Sequence, residues 1–70
     1  MHQEELSLVL RARRETLGIT QEHLSELSGV ALRTLKAMET SKGNPTLSTL
    51  RKIVEVLGLE IKLEVKQTLT

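Results

Sequence analysis

Thr20-Gln21-Glu22-His23-Leu24-Ser25-Glu26-Leu27-Ser28-Gly29-Val30-Ala31-Leu32-Arg33-Thr34-Leu35-Lys36-Ala37-Met38 contains two short helical patterns divided by one glycine. Thr20 offers a side-chain oxygen to the free N–H groups of a helix start. Residues 21–28 then carry Leu24 and Leu27 on one face until Gly29 stops them. Gly29-Val30-Ala31 is a short connection, after which Leu32, Leu35 and Met38 mark a further helix running to about Thr40. Small Ser25 permits close crossing of the two helices, and Leu24, Val30, Leu35 and Met38 are placed to seal the core between them. Two short helices joined by a glycine turn describe a helix-turn-helix, whose second helix is presented to the major groove of DNA.

Working outward, Leu6, Val9, Leu10 and Leu17 recur at helical spacing, with Gly18 as a stop, and predict a helix over 4–17. On the other side, Ser41-Lys42-Gly43-Asn44-Pro45 is the clearest loop, and Thr46 follows it as an N-cap. Leu47, Leu50, Ile53, Val54 and Leu57 form a helical stripe that Gly58 ends. The period then changes, because Leu59, Ile61, Leu63 and Val65 alternate with Glu60, Lys62, Glu64 and Lys66. That pattern predicts a strand over 59–66 with one apolar face. A lone strand leaves its backbone donors and acceptors without partners, so it is expected to pair antiparallel with a second copy. Centring the two-fold axis on Leu63 sets Lys62 opposite Glu64 and Glu60 opposite Lys66, with Ile61 facing Val65. The expected fold is mainly α: one domain over 1–70, with a four-helix bundle over 4–57 and a strand joining a homodimer through Leu59, Ile61, Leu63 and Val65.

Composition narrows the function classes. Seventy residues, 39% of them hydrophobic and none aromatic, supply one aliphatic core with little margin, and a dimer relieves the shortage. With no cysteine there is neither a disulfide framework nor a thiolate nucleophile, which suits a reducing compartment such as the cytoplasm. No apolar run is long enough for a signal peptide or a membrane span, so neither export nor a membrane partner is expected. His2 and His23 are the only histidines and aspartate is absent, so no metal site is expected. The chain also lacks a Gly-x-Ser-x-Gly elbow, a phosphate-binding glycine loop and a placed Ser/His/acid set. No catalytic residue and no cofactor is expected. The net charge is only +1, yet residues 33–52 carry Arg33, Lys36, Lys42, Arg51 and Lys52 against Glu39 alone. Such a patch fits a polyanion, though a solvated helix face would look the same.

The run Leu17-Gly18-Ile19-Thr20-Gln21-Glu22-His23-Leu24, then Ser28-Gly29-Val30 and Met38-Glu39, resembles the Xre/Cro-type helix-turn-helix family over residues 6–57. Lys42-Gly43-Asn44-Pro45-Thr46-Leu47-Ser48-Thr49-Leu50, ending in Leu57-Gly58-Leu59-Glu60-Ile61, looks like its HipB-type antitoxin branch. The resemblance implies a lambda-repressor-like four-helix domain and a dimeric repressor of a pseudo-palindromic operator, commonly paired with a HipA-type kinase toxin. It implies base reading by Ala31, Leu32, Arg33 and Lys36, with Ala37 at the edge. Arg33 and Lys36 can donate to guanine, while Ala31 and Leu32 can touch thymine methyls.

Gln21 resembles the family's phosphate-clamping glutamine, and Thr34, Lys42, Asn44 and Thr46 are further phosphate candidates. Arg14 and Glu39 match a structural ion pair of relatives of the phage-repressor type, whereas Arg11 and Arg13 are read as solvated. Two positions depart from the family pattern. Ala31 stands where Ser or Thr would cap the helix, at a cost of about 1 kcal/mol, and Ser25 stands where Ala is usual, so its hydroxyl must find a carbonyl or water. The rival expectations are an interaction module that neutralises a toxin without reading DNA, and a stand-alone regulator with no toxin.

Overall fold

A computed structural model describes residues 3–63. It contains four helices, α1 (Gln3–Thr16), α2 (Gln21–Ser28), α3 (Leu32–Glu39) and α4 (Leu47–Leu57), in the expected order and within about a residue of the expected bounds. Local chemistry accounts for the ends. Thr20 Oγ1 accepts from His23 N at 3.0 Å at the start of α2, and Thr46 Oγ1 accepts from Thr49 N at 3.1 Å at the start of α4. Ala31, as its side chain dictates, makes no capping bond to α3.

The first and last helices close in the same way. Gly18 and Gly58 adopt φ of +71° and +72°, conformations that cost a residue with a Cβ. The next residues then bond back five positions, Ile19 N to the Arg14 carbonyl at 3.3 Å and Leu59 N to the Val54 carbonyl at 2.9 Å. This arrangement satisfies helix-end carbonyls and seats Ile19 and Leu59 against the core.

Helix α1 packs on α3 and α4, and α2 packs on the same two helices. The core comprises Leu10, Leu24, Val30, Leu35, Met38, Ile53, Val54 and Leu57. Leu24, Val30, Leu35 and Met38 are therefore buried as the turn pattern requires. Four apolar positions read as core face outward instead: Val9 and Leu17 are more than two-fifths exposed, and Leu27 and Leu47 more than half. On α1 the inward stripe runs through Leu6, Ser7, Leu10, Arg13 and Arg14, so polar side chains occupy places that hydrophobicity alone would not select. Ser7 is buried and donates to the Met38 carbonyl at 2.6 Å, and it shares a 2.8 Å bond with Ser41 Oγ. Arg13, expected in solvent, donates from Nε to the Leu57 carbonyl at 2.8 Å and so caps α4.

The expected strand over 59–66 is not formed in the described part of that segment: residues 59–63 have no strand conformation. Residues 64–66, and with them Val65, lie outside the described residues. The physical reason is that a single chain offers the segment no neighbouring strand with which to form a ladder. Leu59 instead completes the end of α4, and a 3.3 Å contact joins Lys62 to Glu60 along the exposed segment.

Candidate nucleic-acid interface

Helix α3 has two opposed faces. Leu35 and Met38 are buried against the other helices, which locks its rotation about its own axis. Ala31, Arg33 and Lys36 are exposed, while Leu32, Thr34 and Ala37 are half-buried along the margin. The five residues expected to read bases thus lie on or beside one accessible face, with both cations exposed.

The turn that sets the angle of α3 is held from within. Gly29 takes φ +76° and donates its N–H to the Ser25 carbonyl at 2.9 Å. Ser25 Oγ finds its carbonyl in Val30, at 2.6 Å, and Val30 N donates to Ser28 Oγ at 3.2 Å. The hydroxyl at position 25 therefore fastens the turn rather than disturbing it.

A second lock joins α3 to α1 and α2. Glu39 is only 8% exposed, and its carboxylate accepts from Arg14 Nε and Arg14 Nη2, each at 2.8 Å, in a bidentate pair. Arg14 Nη1 donates to the Ile19 carbonyl at 2.9 Å, tying the α1–α2 connection into the same network. The hydrogen bonds to Glu39 raise the Arg14 pKa above its ordinary value. The sign matters: a raised cation pKa contributes stability that is complete at neutral and mildly alkaline pH and is lost only where the guanidinium itself deprotonates. Within the ordinary range this pair is therefore constant on the alkaline side.

Gln21 belongs to this network, a link that its sequence context does not reveal. Its amide Nε2 donates to Glu39 Oε1 at 3.2 Å, so the side chain expected at a phosphate is oriented by a buried carboxylate. An amide carries two N–H groups, and this bond leaves capacity for a phosphate. Thr46 is differently placed: besides capping α4, its hydroxyl donates to Thr49 Oγ1 at 3.0 Å, so a phosphate would compete with that bond.

Lys42 and Asn44 are exposed on the loop after α3, and Asn44 lines a shallow depression with Gly43, Pro45, Arg33, Thr34 and Ala37. The loop and the exposed face of α3 are thus one continuous surface. Arg51 and Lys52, counted in the same basic stretch of sequence, line a different depression on α4 with Leu47, Ser48 and Glu55. The charge imbalance over residues 33–52 is therefore divided between two places, of which only Arg33, Lys36 and Lys42 flank α3.

Among the described residues no group of three His, Asp or Glu side chains is arranged to hold a metal. No described helix is long and apolar enough to cross a membrane.

Residues 10–63 match the helix-turn-helix family model. A protein of Methanothermobacter thermautotrophicus named as an uncharacterized HTH-type transcriptional regulator is 38% identical over 52 residues, covering 74% of this chain and 75% of that protein. The HTH-type transcriptional regulator PuuR of Escherichia coli is 35% identical over 48 residues, or 69% of this chain. PuuR of Shigella flexneri matches equally. The chain spans only 26% of the length of either PuuR.

Proposed function

The chain belongs to the helix-turn-helix family of transcription regulators, which are not enzymes, and from that premise we propose that it is a homodimeric, sequence-specific DNA-binding repressor of the HipB-like antitoxin type. The observation that carries the DNA reading is the geometry of α3. Its inner face is locked by Leu35, Met38 and the Glu39–Arg14 pair, while Arg33 and Lys36 stand clear of the protein on the outer face. Arg33 and Lys36 read bases, Ala31 and Leu32 touch thymine methyls, and Gln21, Thr34, Lys42, Asn44 and Thr46 approach phosphates. Exposed cations on a rotationally fixed helix favour a polyanionic partner over an interaction module that only packs against a toxin.

A second copy completes the molecule. Leu47 is 63% exposed, Ile61 38% and Leu63 98%, and they line one groove with Val54, Leu59, Arg51 and Glu55. Arg51 and Glu55 stand one helical turn apart on the rim, so a two-fold axis can set each against its opposite in the other copy. The occupant is the 59–66 segment of the partner, paired antiparallel about Leu63. Each copy then covers the apolar surface that the other leaves in water.

The antitoxin role rests on the resemblance of residues 42–50 and 57–61 to the HipB-type branch, and its partner would be a HipA-like kinase toxin. The stand-alone regulator is the second reading, favoured by relatives named only as transcriptional regulators. Binding of the purified chain to its own promoter fragment, alone and with the product of any adjacent kinase-like gene, tests both. Promoter binding that tightens with the kinase supports the antitoxin role. Promoter binding with no kinase effect leaves the stand-alone regulator, and binding to the kinase without the promoter overturns the DNA reading.

A further inference from the structure

The segment following α3 turns back onto that helix and is held there from both sides. The Ala37 carbonyl accepts from Lys42 N at 2.9 Å, Gly43 N at 3.1 Å, Thr40 N at 3.2 Å and Thr40 Oγ1 at 3.1 Å. Ser41 takes φ +63° and bonds Ser7 of α1 through its hydroxyl. Within this clamp Gly43 has a different use from Gly18, Gly29 and Gly58, because it is not among the positive-φ glycines. Space is what it supplies. A Cβ on Gly43 would lie 3.2 Å from Met38 N, 3.3 Å from the Ala37 carbonyl carbon and 3.3 Å from Ala37 Cβ. Two of those three atoms are helix backbone, held by the buried Leu35 and Met38, so the few tenths of an ångström that a Cβ would need come from the loop rather than the helix.

We propose that Gly43 is a positioning residue for DNA recognition: its missing side chain seats the loop on Ala37 and thereby sets Lys42 and Asn44 at the distance from Arg33 at which loop and helix engage one duplex together. Ala37 is small because the loop rests on it, and its role moves from the edge of base reading to the seat of that loop. The inference rests on the DNA-binding reading and adds a determinant that neither contacts DNA nor forms part of the core.

The test is the salt dependence of binding to a fluorescently labelled random-sequence duplex by the full chain. Lys42→Ala should lower the slope of log K against log salt by about one, the loss of one phosphate contact. Gly43→Ala, which shifts the loop by a few tenths of an ångström, should lower it measurably but by less than Lys42→Ala, and the double variant should lower it no further than Lys42→Ala alone. Gly18→Ala, strained by its φ of +71° but with no atom within 4 Å of the added Cβ, is the control for general destabilisation and should keep the full slope. Should Gly43→Ala fail to fold by circular dichroism, Ala37→Val presses the loop outward from the other side and should give the same loss. A full slope in whichever of these folds overturns the proposal, as do slope losses that simply add in the double variant. An unaltered chain with no salt-dependent binding at all would overturn the DNA reading together with it, whereas intact binding with an indifferent Gly43 would remove this inference alone.

Discussion

The α2–turn–α3 unit and the groove between α4 and the segment that follows it are made from similar aliphatic residues, yet they end in opposite conditions. In the first, Leu24, Val30, Leu35 and Met38 are all buried, and the turn's polar groups are bonded within a few residues. In the second, Leu47, Ile61 and Leu63 line an open groove, and residues 59–63 carry no regular structure. One chain can finish some parts of a small domain and not others. A helix satisfies its backbone from within itself, while an amphipathic strand needs a neighbour. The first region buries the apolar residues that join its two helices, whereas the second leaves Leu47, Ile61 and Leu63 in water, which is the surface proposed above to meet a second copy.

The largest effect expected on the completed region comes from its buried ion pair. Glu39→Ala leaves the Arg14 guanidinium without its bidentate partner and removes the acceptor for Gln21, and it should lower the unfolding free energy by about 3 kcal/mol. Urea denaturation monitored by circular dichroism checks this. A loss under about 0.5 kcal/mol, the range of ordinary surface changes, would mean that packing alone holds α3 and that the lock is decorative.

A charge in the open groove should do the reverse, sparing the fold and breaking the pair. Leu63→Glu, at a side chain 98% exposed, should leave monomer stability within about 0.5 kcal/mol. The same change should raise the dimer dissociation constant at least about tenfold, or about 1.4 kcal/mol, in sedimentation. Unchanged self-association would remove the distinction between the two regions. Deleting residues 59–70 should abolish the dimer at micromolar concentration, and a truncated chain that dimerises normally would place the interface elsewhere.

The smallest effect sharpens the comparison within the completed region. Among α2, α3 and α4, α3 alone has no side-chain N-cap, because position 31 is Ala. Ala31→Ser should therefore stabilise the chain by about 0.5 to 1 kcal/mol, read as a higher thermal midpoint. No change would mean that the α3 N-terminus is already satisfied by water.

What could be read in advance follows the same division. Helices α1, α2 and α4 were legible because each is bounded by a residue with one dominant local use, Thr20 and Thr46 as caps and Gly18, Gly29 and Gly58 as left-handed ends, whereas α3 was legible from the helical spacing of Leu32, Leu35 and Met38. The Arg14–Glu39 pair was legible only through family resemblance, since its members are 25 positions apart. Ser7, Arg13 and the Gln21–Glu39 bond were not legible, because a polar residue on an inward stripe announces no partner until the helices cross. Ser7 and Arg13 do sit at the helical spacing of Leu6 and Leu10, and that periodicity was the available signal. Val9, Leu17, Leu27 and Leu47 misled for the converse reason: apolar character gives a helix a candidate face, but neighbouring helices choose which face is used. The segment from Leu59 was legible as an alternating pattern but not as a structure, since a strand forms only where a neighbouring strand is offered and the described residues offer none.

The most direct test of the central claim is selection of binding sites from a random duplex library by the unaltered chain and by Arg33→Ala. The unaltered chain should enrich a pseudo-palindrome with half-site centres about 10 bp apart, or a multiple of that. Arg33→Ala should give weaker enrichment with preference lost at one base position in each half-site. No enrichment by the unaltered chain, a single unrepeated site, or an identical base preference in Arg33→Ala would contradict a paired reading helix.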